Sequence, residues 1–167
     1  RILGVGSYAP ERVLCNADLE RMVSTSDEWI VARTGIRERH IVAEGQATSA
    51  LAIAAGRGAL ARAHLAPEDL ELILVATATP DQVTPSTAAR VQHGLGAARA
   101  AGFDLNAACA GFVHALMSAH HLLAAGAFAN ALVIGADALS TITDYQERES
   151  CILFGDGAGA LVLGQGE

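Results

Sequence analysis

Leu70 to Thr77, reading Leu-Glu-Leu-Ile-Leu-Val-Ala-Thr, is a nearly continuous apolar run of strand-forming residues. A strand can be apolar along both faces only if something covers each face, so this run constrains the chain to a sheet held between helices. The rest of the sequence agrees. Strands are expected at Ile2 to Gly6, Gly102 to Leu105 and Ala131 to Gly135, with helices between them at Ser49 to Leu65, Ser86 to Leu95 and Phe112 to Ala125. Two shorter helices start near the N-terminus. Asn16 is the expected N-cap of one; Ser26-Asp27-Glu28-Trp29 opens the other, which Thr34-Gly35 ends. Alternating elements of this kind predict an α/β domain with a mostly parallel sheet and helices on both faces. Two more extended runs, Cys151 to Phe154 and Ala160 to Leu163, face each other across Gly155-Asp156-Gly157-Ala158-Gly159 and predict an antiparallel edge. No linker divides the chain, so residues 1–167 are expected to form one domain.

Composition narrows the function. Apolar residues make up 51% of the chain, Ala the commonest of them, and 17 glycines stand beside them; such small residues suit close helix–sheet contact. A net charge of −7 opposes a nucleic-acid partner, whose footprint would be a basic stripe. No apolar run reaches the ~18 residues of a membrane span, and Arg1 to Pro10 is too short for the core of a signal peptide. Cys15, Cys109 and Cys151 form no CxxC or metal-ligand spacing, and an odd, sparse set is expected of reduced thiols in the cytoplasm.

The chemistry concentrates at Asn106-Ala107-Ala108-Cys109-Ala110-Gly111. A strand ends just before this segment and a helix begins just after it, the strand–turn–helix bend that exposes a nucleophile. A thiol at a helix N-terminus sits in a positive partial charge that favours thiolate, and the small neighbours leave room for an acyl chain. Without that turn Cys109 would read as a small buried hydrophobe. Cys15 and Cys151 lack the context and read as structural. No histidine pairs with Cys109 by pattern. His114 lies about 140° around the helix axis from it, and His114, Ser118 and His121 form a polar stripe. His40, His64 and His93 are expected in loops or at helix ends.

Two further stretches invite other readings. Gly4-Val5-Gly6 and Gly155-Asp156-Gly157-Ala158-Gly159 suggest a dinucleotide loop, but neither leads into the helix which that fingerprint needs. The second is expected to be a turn with positive φ angles and close packing. Glu28 to His40 gathers positive charge around Trp29, the only tryptophan. An arginine beside an aromatic ring suits a planar anionic ligand such as the adenine and phosphates of coenzyme A, and suits a solvated helix end equally well.

At these residues the chain resembles the N-terminal half of the β-ketoacyl-acyl carrier protein synthase III family, condensing enzymes of the thiolase superfamily. The similar segments are Gly4 to Pro10, Thr25 to Ile30, Arg33 to Arg39, Asn106 to Phe112 and Phe154 to Ala160, in family order along the chain. The resemblance implies half of a thiolase-like fold, a five-stranded mixed sheet with helices on both faces. It implies Cys109 as the acylated residue and coenzyme A contacts at Trp29, Arg33, Thr34 and Arg148. Thr84 and Phe154 would border the acyl pocket, Thr84 from the partner subunit of a homodimer. Acyl-coenzyme A and malonyl-acyl carrier protein are the implied substrates, with no cofactor and no metal. The family's catalytic His and Asn would lie beyond Glu167, so the sequence is expected to be half of a longer chain. A sibling condensing enzyme of secondary metabolism, an interaction module and a thiol redox protein are the competing readings.

These expectations make residues 1–167 alone incompetent for condensation. Without the acid–base and oxyanion partners the rate should fall by about 10³-fold or more. A malonyl decarboxylation assay on this piece alone, and then with the remaining half of the parent protein added, checks it: family-like turnover by the lone piece would reveal a catalytic base within it.

Overall fold

The computed structural model describes residues 1–165. Its chain order is β1 (Ile2–Tyr8), β2 (Arg12–Cys15), α1 (Asn16–Leu19), α2 (Asp27–Thr34), β3 (Glu38–Ile41) and α3 (Thr48–Ala63). There follow β4 (Leu72–Ala76), α4 (Thr87–Leu95), β5 (Ala101–Leu105), α5 (Gly111–Ala124), β6 (Asn130–Ala138), α6 (Arg148–Cys151) and β7 (Asp156–Gly164). The predicted apolar strand is β4, and each of its five residues is buried. It pairs in parallel with β5 on one side and β6 on the other. The sheet continues through β7 and β1, both antiparallel to their neighbours, in the order β1-β7-β6-β4-β5. The fold is the expected half of a thiolase-like architecture, with a five-stranded mixed sheet between helical layers.

Both faces of β4 are used. Ile73 and Val75 point into the layer under α3 and α4, where Ala52, Ala55, Ala59, Ala88 and Val91 pack with Leu132, Ile134 and Val162. Leu72, Leu74 and Ala76 point the other way, against Ala115, Ala119 and Leu123 of α5. Alanine spacing brings these helices close to the sheet. The closest approach is at β1, where a Cβ on Gly6 would stand 2.1 Å from the Ala55 carbonyl oxygen and 2.5 Å from the Ala59 amide. A side chain there would collide with helix backbone.

A third cluster stands beside the sheet. The short ladder β2–β3 and the helices α1, α2 and α6 enclose Leu14, Leu19, Ile30, Ile41, Cys151 and Ile152. The sequence pattern did not predict this ladder. Its strands are four residues each and lie on either side of two helices, so neither local pairing nor periodicity marks them.

Several expectations are corrected. Cys151 to Phe154 is not a strand: Cys151 closes α6 and the chain then turns into β7. β7 lies inside the sheet, and the antiparallel edge is β1. Gly155, Gly157 and Gly159 are not among the positive-φ residues, which are Gly35, Gly45, Gly96 and Gly126 with His64 and Ala108. Gly157 and Gly159 lie within a strand that has neighbours on both sides, although close packing holds at Gly155, where a Cβ would stand 3.1 Å from that of Arg39. Asn16 is not the N-cap of α1; Cys15 is, with Asp18 completing the box. His40 lies in β3, its Nδ1 against the Pro10 carbonyl oxygen.

The glycines of the β1–α3 contact give opposite expectations. Gly6→Ala should destabilise the intact protein by about 1–3 kcal/mol through overpacking. Gly58→Ala, whose Cβ meets nothing nearer than 3.6 Å, should stabilise it by about 0.5–1 kcal/mol by improving helix propensity. Urea unfolding of both variants measures the two signs.

Candidate active site

β5 runs parallel to β4 and delivers the chain to the carboxyl end of the parallel strands, where open α/β sheets bind ligands. There the backbone bends sharply. The Asn106 side chain accepts from the Ala108 amide at 3.1 Å, Ala107 sits at φ −143° and ψ 36°, and Ala108 at φ 45°. A left-handed conformation costs a non-glycine residue on the order of 1–2 kcal/mol, and here it falls immediately before the candidate nucleophile. One turn of 3-10 helix, Ala108–Ala110, carries Cys109 into the start of α5.

Packing fixes the head of α5. A Cβ on Gly111 would be 3.3 Å from that of Ala76, at the end of β4, and one on Gly135 would be 3.1 Å from the Phe112 ring. The two glycines let the first turn of α5 settle on β4 and β6. Cys109 is left exposed at the end of the helix where amide donors lack intrahelical partners. The expected strand–turn–helix bend is present, with the extra 3-10 turn between bend and helix.

The other thiols differ. Cys15 is half-buried and its Sγ donates to Asp18 Oδ2 at 3.0 Å, which holds that carboxyl below its usual range. Cys151 is fully buried, and burial pushes its thiol up. Among the described residues no histidine bonds to Cys109, and no three His, Cys, Asp or Glu side chains gather as a metal would need. His114, His120 and His121 are exposed on α5.

A second group of expected residues does come together. The Ser26 hydroxyl accepts from the Trp29 amide at 3.2 Å and caps α2, and Gly35 at φ 72° ends it. One turn along α2, the Arg33 guanidinium carbon lies 4.5 Å from the Trp29 ring centroid. Arg148, from α6, brings a second guanidinium to 4.4 Å. The nearby Glu147 carboxylate takes the Ser150 hydroxyl at 2.5 Å, which leaves Arg148 to the indole and to a long contact of 3.4 Å with the Ser24 carbonyl. Thr34 is engaged locally: its hydroxyl donates to Ile30 O at 2.8 Å and accepts from Ile36 N at 3.0 Å. One lone pair remains, so toward a ligand it could only accept. Phe154 is 38% exposed just before β7. Thr84 stands on the exposed loop before α4, its carbonyl accepting from Gln82 Nε2 at 2.7 Å.

The sequence reading missed the buried polar residues beneath this group. Arg39, grouped with the positive charge of Glu28 to His40, is 3% exposed, and Asn16 is 2% exposed. The period-2 alternation of β3, which puts Arg39 and Ile41 on one buried side, was the available signal.

Comparison with known proteins fits this geometry. Residues 103–167, which include Cys109, match the family of 3-oxoacyl-[acyl-carrier-protein] synthase III. The β-ketoacyl-[acyl-carrier-protein] synthase III of Thiobacillus denitrificans is 58% identical over 98% of this chain and 52% of its own length. That of Bradyrhizobium sp. is 56% identical over 97% and 50%. The crystal structure of 3-oxoacyl-[acyl-carrier-protein] synthase III from Aquifex aeolicus superposes with a TM-score of 0.97 at 48% identity, covering 100% of this chain and 54% of that one. A priming β-ketosynthase from a polyketide pathway superposes at 0.96 with 40% identity, covering 99% and 50%. The fold is one half of the thiolase-like architecture of these structures. Over nearly its whole length the chain is similar to 3-oxoacyl-[acyl-carrier-protein] synthase III proteins, and it spans about half the length of the curated relatives it matches.

Exposure and helix position predict that Cys109 reacts first among the three thiols. In the intact protein at pH 7, iodoacetamide should label Cys109 well before Cys15 or Cys151 of this region, as read by peptide mass spectrometry over time. Equal rates at the three thiols would remove the assignment.

Proposed function

We propose that this chain carries the nucleophile and the coenzyme A contacts of a β-ketoacyl-acyl carrier protein synthase III, which begins fatty-acid synthesis. The observation that carries this reading is an exposed cysteine placed by a left-handed residue at the head of α5. In the first half-reaction the Cys109 sulfur adds to the carbonyl of acyl-coenzyme A, most simply acetyl-coenzyme A. The tetrahedral adduct collapses, the bond to the coenzyme A sulfur breaks, and that sulfur leaves as the thiolate. In the second, malonyl-acyl carrier protein loses carbon dioxide. The resulting carbanion attacks the Cys109 thioester, and the Cys109 sulfur leaves as the β-ketoacyl product forms on the carrier protein. Neither step takes up electrons or needs an ion to balance, so the proposal includes no cofactor beyond the two thioesters.

Trp29, Arg33 and Arg148 suit the nucleotide end of coenzyme A. An adenine ring can stack on the indole and share it with a guanidinium, while the cations face the phosphates. Thr34 would assist as an acceptor, and Thr84 and Phe154 would border the acyl group. We place the carbonyl- and malonyl-activating groups on the remaining half of the parent protein, with residues 1–167 as its nucleophile domain. A cytoplasmic homodimer completes the proposal. The free thiols support the compartment, and the β5 edge, with Gly102 and Phe103 exposed, offers a surface for a second copy. Likeness to a polyketide priming β-ketosynthase favours one second reading, the same cysteine chemistry with an acceptor of secondary metabolism. Turnover with the fatty-acid carrier protein against a polyketide one separates the two.

Trp29→Ala and Arg33→Ala in the intact protein should raise the acyl-coenzyme A concentration needed for priming by roughly tenfold each, the worth of one desolvated cation–π contact. Condensation from enzyme already acylated on Cys109 should keep its rate. Single-turnover measurements of the two steps provide the check, and equal slowing of both would show that the group does not serve coenzyme A.

A further inference from the structure

Arg39 is almost fully buried, and among the described residues no carboxylate lies within ion-pair distance of it. An unpaired buried cation is costly, and an apolar side chain would fill the space at less cost, so the bonds it makes must explain its presence. Nε donates to the Ile152 carbonyl at 3.1 Å, Nη2 donates to the same oxygen, and Nη1 donates to Asn16 Oδ1 at 2.6 Å. Asn16 then reaches both ends of α2. Its Nδ2 donates to Asp27 Oδ1 at 2.7 Å, in the first turn, and to Ile36 O at 2.9 Å, just past the last. Ile152 is the C-cap residue of α6, directly after Cys151. The guanidinium fork is thus a rigid spacer between the helix that bears Trp29 and Arg33 and the helix that bears Arg148. Gly155 adds to the fit, since a Cβ there would crowd Arg39 Cβ at 3.1 Å and His40 O at 3.2 Å. The other polar tie from α6 toward α2, Arg148 to Ser24 O, is long at 3.4 Å.

We propose that Arg39, acting through Asn16 and the Ile152 carbonyl, is a positioning residue that sets the gap between Trp29 and Arg148 and so tunes recognition of the nucleotide end of coenzyme A. This inference rests on the assignment of Trp29, Arg33 and Arg148 to coenzyme A. Arg39 touches neither ring nor ligand; it fixes the two helices between which the base must fit. A shift of about 1 Å in such a frame is enough to weaken a stacked ligand strongly. Lysine cannot replace the fork, because a single ammonium cannot span both acceptors in one plane.

The test compares two donors in the intact protein: an acyl-coenzyme A and the same acyl group on pantetheine, which lacks the nucleotide. The readout is the ratio of their kcat/KM values, measured for the wild type, Arg39→Gln, Arg39→Lys, Asn16→Asp and Trp29→Ala. Asn16→Asp keeps an oxygen for Arg39 but removes the two donors that hold α2, and it carries the test alone if Arg39→Gln does not fold. The expected result is a fall of roughly tenfold in the ratio for Arg39→Gln and Asn16→Asp, arising in KM for acyl-coenzyme A, with Arg39→Lys recovering only part of it. An equal fall with both donors, or no change in either, would overturn the proposal. Trp29→Ala separates the two levels of the argument. If it leaves the ratio unchanged, the coenzyme A assignment itself fails; if it lowers the ratio while Arg39→Gln and Asn16→Asp do not, only the positioning role fails.

Discussion

Burial of β4 on both faces is the constraint from which the rest of the structure follows. Its side chains cannot be apolar on both sides unless α3 and α4 cover one face and α5 the other. That requirement makes the central strands parallel, because a chain that must lay a helix on the sheet between successive strands returns to the same end of the sheet. Parallel strands place their carboxyl ends together, and it is from one of these ends that the bend carrying Cys109 emerges. The site is therefore a consequence of how the core is covered.

Small residues convert that layered plan into a definite geometry. Gly6 lets β1 touch the backbone of α3, Gly111 lets α5 begin on the end of β4, and Gly135 receives the Phe112 ring. A larger residue at any of them would lift a helix off the sheet, and at the last two it would displace the turn that presents Cys109. The bend itself stores local strain at Ala108, which the packing on either side sustains. Stability of the core and presentation of Cys109 are thus coupled through the same few contacts.

The group around Trp29 is organised by a different kind of interaction. Trp29, Arg33 and Arg148 lie outside the main sheet, on short helices that bury little apolar surface of their own. Elements of that size need polar ties to hold a fixed relation, and the chain from Asp27 through Asn16 and Arg39 to Ile152 supplies them. Asp156 works similarly at the start of β7: its carboxylate accepts from the Val42 amide and from the amide and hydroxyl of Ser140. Two of these ties, Arg39 to the Ile152 carbonyl and the Val42 amide to Asp156, join segments more than a hundred residues apart.

How much was legible in the sequence depended on the range of the interaction responsible. The unbroken apolar run at Leu70 to Thr77, the caps at Ser26, Gly35 and Ser86 and the bend around Cys109 are local patterns, so the layered α/β class, most helix limits and the strand–turn–helix bend that exposes Cys109 could be read directly. The β2–β3 ladder, the interior place of β7 and the helical turn at Cys151 could not, because each depends on partners distant in the chain. Arg39 shows the difference most clearly. In sequence it is one of several charges between Glu28 and His40, and only the folded chain turns it inward, onto a carbonyl 113 residues away. The sequence by itself determined the layers and the bend that carries Cys109, since periodicity and turn chemistry act between neighbours. Tertiary structure alone decided which charge is buried, which strand lies at the edge and how Trp29 meets Arg148, since those depend on where distant segments come to rest.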